Sequence, residues 1–195
     1  PLVVGDILFC VVGGEGSVAV AFDKDTGQEI WRALSASDSG YCPPTMIEHA
    51  GRKQLLIWHS ESINSLNPIT GEVYWSVPLK PSYGMSITTP RQLGPHLLVT
   101  GYGDAGVLLR LADDQPQAEV VWRGKPKTGI YCANSTPFLE DGMIYGCDIG
   151  SGALIVTAMD FNTSRTEFSL IEVDFPIVLQ PYEDRVVTVW YVPMD

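Results

Sequence analysis

Three histidines, four cysteines and scattered carboxylates are the groups in this 195-residue sequence that could carry acid–base, nucleophilic or metal chemistry. His49, His59 and His96 stand far apart, so no pair has ligand spacing. His59 follows Trp58 at the end of an apolar run, where it could face a channel; a turn histidine is the plainer expectation. Cys10, Cys42, Cys132 and Cys147 form neither a C-x-x-C pair nor a Cys/His group of zinc spacing. They are expected as buried or edge thiols, with one or two disulfides as the alternative. Asp23-Lys24-Asp25 lacks the order of a calcium loop and reads as a turn. Gly13-Gly14-Glu15-Gly16 leads into a strand, not a helix N-terminus, which argues against a phosphate cradle. Gly101-x-Gly103-x-x-Gly106 matches a dinucleotide spacing but joins two strand-like runs, so a hairpin is expected there.

Recognition is better served than catalysis. Tyr41, Tyr83 and Tyr131 each lie a few residues before a proline, at Pro44, Pro90 and Pro137. Together with Ser86, Thr88, Asn134 and Ser135 they form a candidate binding rim. Aromatic side chains there would supply large contact area at low entropic cost. The alternative role for the tyrosines is to seal junctions between structural units.

The elements that must position these groups recur along the chain. Trp31 is followed by Trp75 after 44 residues, Trp122 after 47 more and Phe168 after a further 46. Eight residues before each aromatic stands Asp23, Asn67, Asp114 or Asp160; five before, Thr26, Thr70, Gln117 or Thr163. Four before stands Gly27, Gly71, Ala118 or Ser164, and ten before stands Ala21, Ser65, Ala112 or Ala158. Asp or Asn ahead of Thr-Gly can bond nearby backbone N–H groups, and Gly tolerates a left-handed backbone. Each copy therefore predicts a turn between two strands, with an aromatic early in the returning strand to pack between units. Ala21, Asp23, Thr26, Gly27, Trp31, Asn67, Thr70, Gly71, Trp75, Trp122 and Phe168 are the expected docking residues.

A second pattern lies upstream of each turn. Pro1, Pro44, Pro90 and Pro137 open an extended run, followed by a turn (Gly5-Asp6, Gly51-Arg52, Gly94-Pro95, Asp141-Gly142) and an apolar strand. Four short strands per repeat, with no sustained helical periodicity, predict an all-β chain built as a β-propeller of four-stranded antiparallel blades. A β-sandwich is the alternative. The expected blades are 1–36, 37–80, 81–127, 128–172 and an incomplete 173–195, making the chain a piece of a seven- or eight-bladed parent whose missing blades are its first partners.

Composition narrows the classes further. The net charge of −11 argues against non-specific nucleic-acid binding and against attraction to anionic membranes. No apolar run approaches the roughly 20 residues of a membrane-spanning helix, so no direct insertion is expected in this segment.

The unit Ala21-x-Asp23-x-x-Thr26-Gly27-x-x-x-Trp31 resembles the tryptophan-docking motif of the pyrroloquinoline-quinone (PQQ)-like propeller repeat. Cys42-Pro43-Pro44, Thr88-Thr89-Pro90 and Ser135-Thr136-Pro137 resemble the small-small-Pro opening of that repeat's first strand. The resemblance implies a periplasmic or extracellular location. The family holds quinone-dependent alcohol and glucose dehydrogenases, the lipoprotein propeller of outer-membrane assembly, and other bacterial propellers. Its alcohol dehydrogenases stack the quinone on a disulfide of adjacent cysteines and bind calcium beside a catalytic Asp; no Cys-Cys occurs in this sequence. The expectation is a non-catalytic scaffold or binding module for a protein or extended ligand, with no cofactor. Part of a PQQ- and calcium-dependent alcohol or sugar dehydrogenase is the alternative, and an extracellular sensor domain a third.

Overall fold

The computed structural model describes residues 1–125 and 129–149, and the backbone of two further strands, Leu154–Ala158 and Leu170–Ile171. Phe168 and the expected fifth unit, 173–195, lie outside the described residues.

Among the described residues, sixteen strands pair in chain order into four antiparallel sheets of four. The first sheet is β1 (Leu2–Val4), β2 (Ile7–Val11), β3 (Ala19–Asp23) and β4 (Glu29–Ala33). The second is β5 (Thr45–His49), β6 (Arg52–Trp58), β7 (Ser62–Leu66) and β8 (Val73–Pro78). The third is β9 (Arg91–Leu93), β10 (His96–Gly101), β11 (Ala105–Leu111) and β12 (Ala118–Arg123). The fourth is β13 (Phe138–Glu140), β14 (Met143–Cys147), β15 (Leu154–Ala158) and β16 (Leu170–Ile171). Among the described residues the one helical piece is a 3₁₀ turn, Ser82–Gly84. Pro1, Pro44, Pro90 and Pro137 each stand immediately before a first strand, a place where a residue without an N–H breaks no ladder bond.

The third-to-fourth-strand turn of the first sheet is built by one carboxylate. Asp23 Oδ1 accepts from the N–H groups of Asp25 (3.2 Å) and Thr26 (2.7 Å) and from the Thr26 hydroxyl (2.7 Å). Gly27, at φ +72°, returns its N–H to the Asp23 carbonyl at 2.9 Å. The second sheet repeats this with an amide. Asn67 Oδ1 accepts from Ile69 and Thr70, and Gly71 (φ +75°) donates to the Asn67 carbonyl.

The third sheet departs from the pattern read off the sequence. Ala21 pairs with Trp31 and Ser65 with Trp75, but Trp122 pairs with Leu108, fourteen residues before it, rather than with Ala112. The bond that closes the turn runs from Ala112 N–H to the Gln117 carbonyl, the counterpart of Asp23 to Gln28 and Asn67 to Glu72. Ala112, not Asp114, therefore holds the turn position of Asp23. The β11–β12 hairpin is two residue pairs longer, and anchoring the alignment on Trp122 hid that.

The sheets stack face to face as propeller blades, each sharing a core with the next. Strand alternation sends Leu55 and Ile57 toward the first sheet, where they join Phe9, Ala21 and Trp31. Leu56 and Trp58 point the other way and join Leu97, Val99, Val107 and Leu109 of the third sheet. Leu98, Leu108 and Trp122 close on Ile130, Cys132, Leu139 and Ile144 toward the fourth.

The three repeat aromatics among the described residues anchor these junctions differently. Trp31 donates its indole N–H to the Pro68 carbonyl in the second sheet's turn (3.0 Å) and lays its ring on Gly71. Trp75 instead donates at 3.0 Å to Oε1 of Gln54, a buried side chain of its own sheet that also accepts from the Ser65 hydroxyl at 2.8 Å. Trp122 packs over Gly106 and Gly129. A fourth indole, missed by the repeat, does similar work: Trp58 is fully buried, donates to the Leu79 carbonyl (3.1 Å) and presses on the bare Cα of Gly101.

Candidate binding face

The segments linking one sheet to the next carry the expected rim residues. Tyr41 and Tyr83 are open to solvent, at 68% and 84% exposure. Tyr83 sits in the 3₁₀ turn with φ +59°, a left-handed backbone uncommon for a bulky residue, and stacks on Tyr102 at 5.9 Å with 19° between the rings. Tyr102 belongs to the β10–β11 hairpin, whose carbonyl accepts from Ser82 N–H (2.9 Å). The Gly101-x-Gly103-x-x-Gly106 segment is that hairpin, with Thr100 opposite Gly106.

Tyr41 is tied to the next link by its N–H, which donates to the Ser86 carbonyl (2.9 Å). Gly40 beside it has φ +69° and no room for a side chain: a Cβ there would meet Ser86 Oγ at 1.9 Å. Asp38 approaches the same place, its carbonyl accepting from the Ser60 N–H (3.3 Å) and hydroxyl (2.9 Å). Asn134 and Ser135 are exposed on the third link.

Three rim candidates sit elsewhere. Tyr131 is buried: its ring packs onto the backbone of Gly106, Gly124 and Gly129, its hydroxyl donates to the Lys125 carbonyl (2.5 Å), and its N–H donates to Asp148 Oδ1 (3.0 Å). It seals the third junction, because three glycines leave a slot for the ring and the Lys125 carbonyl accepts from the phenol. Ser86 and Thr88 are also buried. The Ser86 hydroxyl has no hydrogen-bond partner, while Thr88 donates to the Thr100 carbonyl. Thr88 belongs to a stitch between links: Cys42 Sγ donates to the Thr88 carbonyl at 3.3 Å, and Thr100 Oγ1 donates to the Ile130 carbonyl.

The titratable groups near the face are structural. His59 is buried, its Nδ1 accepting from Glu61 N–H (3.2 Å) and its Nε2 meeting the Ser62 hydroxyl (3.1 Å). Burial lowers its pKa against an opposing pull from the Glu61 carboxylate. Hydrogen bonds from Ser37 to Glu61 hold that carboxyl below its usual range. His49 pairs with Asp113 across the second junction at 3.0 Å. All four cysteines are free thiols. Burial pushes Cys42 up to about 12 and Cys132 up to about 11.

Among the described residues no three His, Cys, Asp or Glu side chains gather as a metal-holding group. Tyr102 and Asp38 are the face residues that sequence reasoning missed. The available signal for Tyr102 was an aromatic flanked by Gly101 and Gly103, which a hairpin displays at its tip.

No family model matches the chain, and no curated protein matches it. Among solved structures it is similar to BamB from Moraxella catarrhalis, with 21% identity and a TM-score of 0.54 over 80% of this chain. The match takes in 44% of the BamB chain, so this chain spans less than half the length of the protein it resembles. At that identity the likeness speaks for fold alone: a run of four-stranded antiparallel blades of the kind found in PQQ-like β-propellers.

Proposed function

We propose that the chain is a non-catalytic binding module whose link face, centred on Tyr41, Tyr83 and Tyr102, receives a protein segment or another extended ligand. The observation that carries this reading is Tyr83. It is 84% exposed, stacked on a second tyrosine, and held in a left-handed backbone within the 3₁₀ turn. Backbone strain kept at an exposed aromatic points toward recognition. The exposed Tyr41, Asn134 and Ser135 extend the face along successive links. A periplasmic or extracellular location, drawn from the repeat resemblance, fits this role.

The test is site-specific photocrosslinking in the producing cell. A benzoyl-phenylalanine at position 41 or 83 is expected to trap a discrete partner, and one at Ile69, as exposed as Tyr41 but on a turn of the second sheet, is expected to trap none. Trapping from position 83 should vanish when Tyr41 and Tyr102 are replaced by Ala. Equal trapping from all three positions would remove the proposal. Dye reduction by an alcohol or sugar that depends on added quinone and calcium would replace it with the enzyme reading.

A further inference from the structure

The Tyr83 turn is walled by carboxylates. A Cβ on Gly84, the next residue, would stand 3.8 Å from Asp38 Oδ2 and 3.5 Å from Ser60 Cβ, so the first link and the β6–β7 hairpin both reach this turn. Asp38 Oδ1 accepts from the Gly40 N–H at 3.0 Å, and Oδ2 accepts from no described residue. Glu61 follows Ser60, and its Oε1 accepts from the Ser37 N–H at 3.0 Å. Asp104 lies at the tip of the hairpin that carries Tyr102. All three acidic residues are exposed, and none has an ion-pair partner among the described residues. Lys80 acts on Glu61 through its charge, without an ion-pair contact.

Two further features mark the same corner. One face of the Tyr83 ring lies on Tyr102, and at 84% exposure its other face is open. Beneath it, the fully buried Ser86 hydroxyl has no hydrogen-bond partner and is turned toward Gly40, whose N–H holds Asp38. A buried polar group left unmet is uncommon in folded chains, and here it coincides with the unpaired carboxylates.

The charge and shape of the corner select a cation. An open aromatic face attracts positive charge, and carboxylates beside it add to the attraction. A guanidinium fits better than an ammonium. It is flat enough to lie on the ring while its edge N–H groups donate to a carboxylate, whereas an ammonium is a strongly hydrated point charge.

We propose that this corner receives an arginine side chain from a partner protein. The guanidinium stacks on the open face of Tyr83 and donates to Asp38, with Glu61 and Asp104 supplying the surrounding negative field. The proposal rests on the reading of the link face as a binding face and names the chemistry of its partner.

Hexa-arginine amide is the probe, titrated into the chain at physiological salt and followed by the Tyr83 ring resonances, with hexa-lysine amide for comparison. Hexa-arginine should bind several-fold more tightly and move the Tyr83 ring. Asp38→Asn with Glu61→Gln keeps the oxygens that accept from Gly40 and Ser37 and should weaken hexa-arginine by roughly tenfold or more. Glu72→Gln with Asp141→Asn removes the same charge from exposed residues on turns at the far end of the sheets, and should change binding by less than about twofold. Equal losses in the two double variants, or equal affinity for the two peptides, would overturn the proposal. In the producing cell, trapping from a benzoyl-phenylalanine at position 41, which leaves Tyr83 in place, should be lost in the Asp38→Asn, Glu61→Gln chain. Undiminished trapping in that chain would overturn the arginine proposal and leave the binding face standing; no trapping from the native chain would remove both.

Discussion

Trp31 and Gly71 meet ring against backbone across the first junction: a Cβ on residue 71 would lie 2.7 Å from Cδ2 and Cε3 of the indole. Gly27 has nearly the same left-handed backbone, φ +72° against +75°, but no ring above it. Ala at either position bears the same backbone strain, so the difference between the two isolates the clash. Gly71→Ala should destabilise the chain by about 1–3 kcal/mol more than Gly27→Ala, measured by urea denaturation with the slope held in common. Equal effects would mean that the ring is free to move aside.

Trp31→Ala should cost roughly 3–5 kcal/mol, as other buried aromatic truncations do. Trp31→Phe keeps most of the ring contact and deletes the bond to the Pro68 carbonyl, for about 1 kcal/mol. The ratio of the two losses measures how far the junction depends on packing rather than on the hydrogen bond. A loss below about 1 kcal/mol for the Ala variant would remove the docking role.

Gln54 accepts from both Ser65 and Trp75 inside the sheet stack. Gln54→Leu strands a hydroxyl and an indole N–H without an acceptor and should cost roughly 2–4 kcal/mol. Adding Ser65→Ala removes one of the two orphans, so the double variant is expected to be more stable than Gln54→Leu alone. Thermal unfolding of the three proteins checks the order; an additive further loss would refute the shared-acceptor account.

Stability should fall as pH drops below about 6.5, in part because of His59. Burial lowers its pKa from 6.5, so the folded chain resists protonation while the unfolded chain accepts it. The sign follows: no histidine contribution to the slope well above 6.5, and a loss that accumulates until the folded pKa is reached. His96, also lowered by burial, acts in the same direction. Urea midpoints from pH 8 to pH 5 should therefore decline less in His59→Gln than in the native chain, with part of the slope remaining.

The thiols should separate by rate under iodoacetamide at pH 8. Cys147 is exposed and Cys10 half-buried, so these two alkylate first. Cys42 and Cys132, pushed up to about 12 and about 11, hold almost no thiolate at that pH and are expected to react on unfolding. Mass mapping of labelled peptides over time gives the order. Early labelling of Cys42 would contradict the stitch to the Thr88 carbonyl.

The strand order and the blade count over the described residues were legible because spacing and turn chemistry repeat. Asp23 and Asn67 build their turns with the side-chain oxygen that the sequence offered, and every first strand begins after its proline. The third hairpin was not legible, since adding two residues to each strand leaves Trp122 in phase while moving the turn to Ala112. The rim divided for a reason that no local pattern carries. Tyr41 and Tyr131 occupy similar stretches of sequence, but Gly106, Gly124 and Gly129 open a slot for only one of them. Burial of a loop aromatic depends on which distant glycines happen to face it.

The longer third hairpin also bears on how a chain of near-copies finds its own partners. β3 and β7 each meet their tryptophan strand ten residues on, so a β3–β8 or β7–β4 exchange would satisfy the same ladder and bury the same ring. Such exchanges are a known failure of repeat proteins. In β11 the residue paired with the tryptophan stands fourteen residues before it, and swapping β11 with β7 leaves two residue pairs unmatched. The longer copy is thereby marked off from the two before it, since exchange with either would leave its extra pairs without partners.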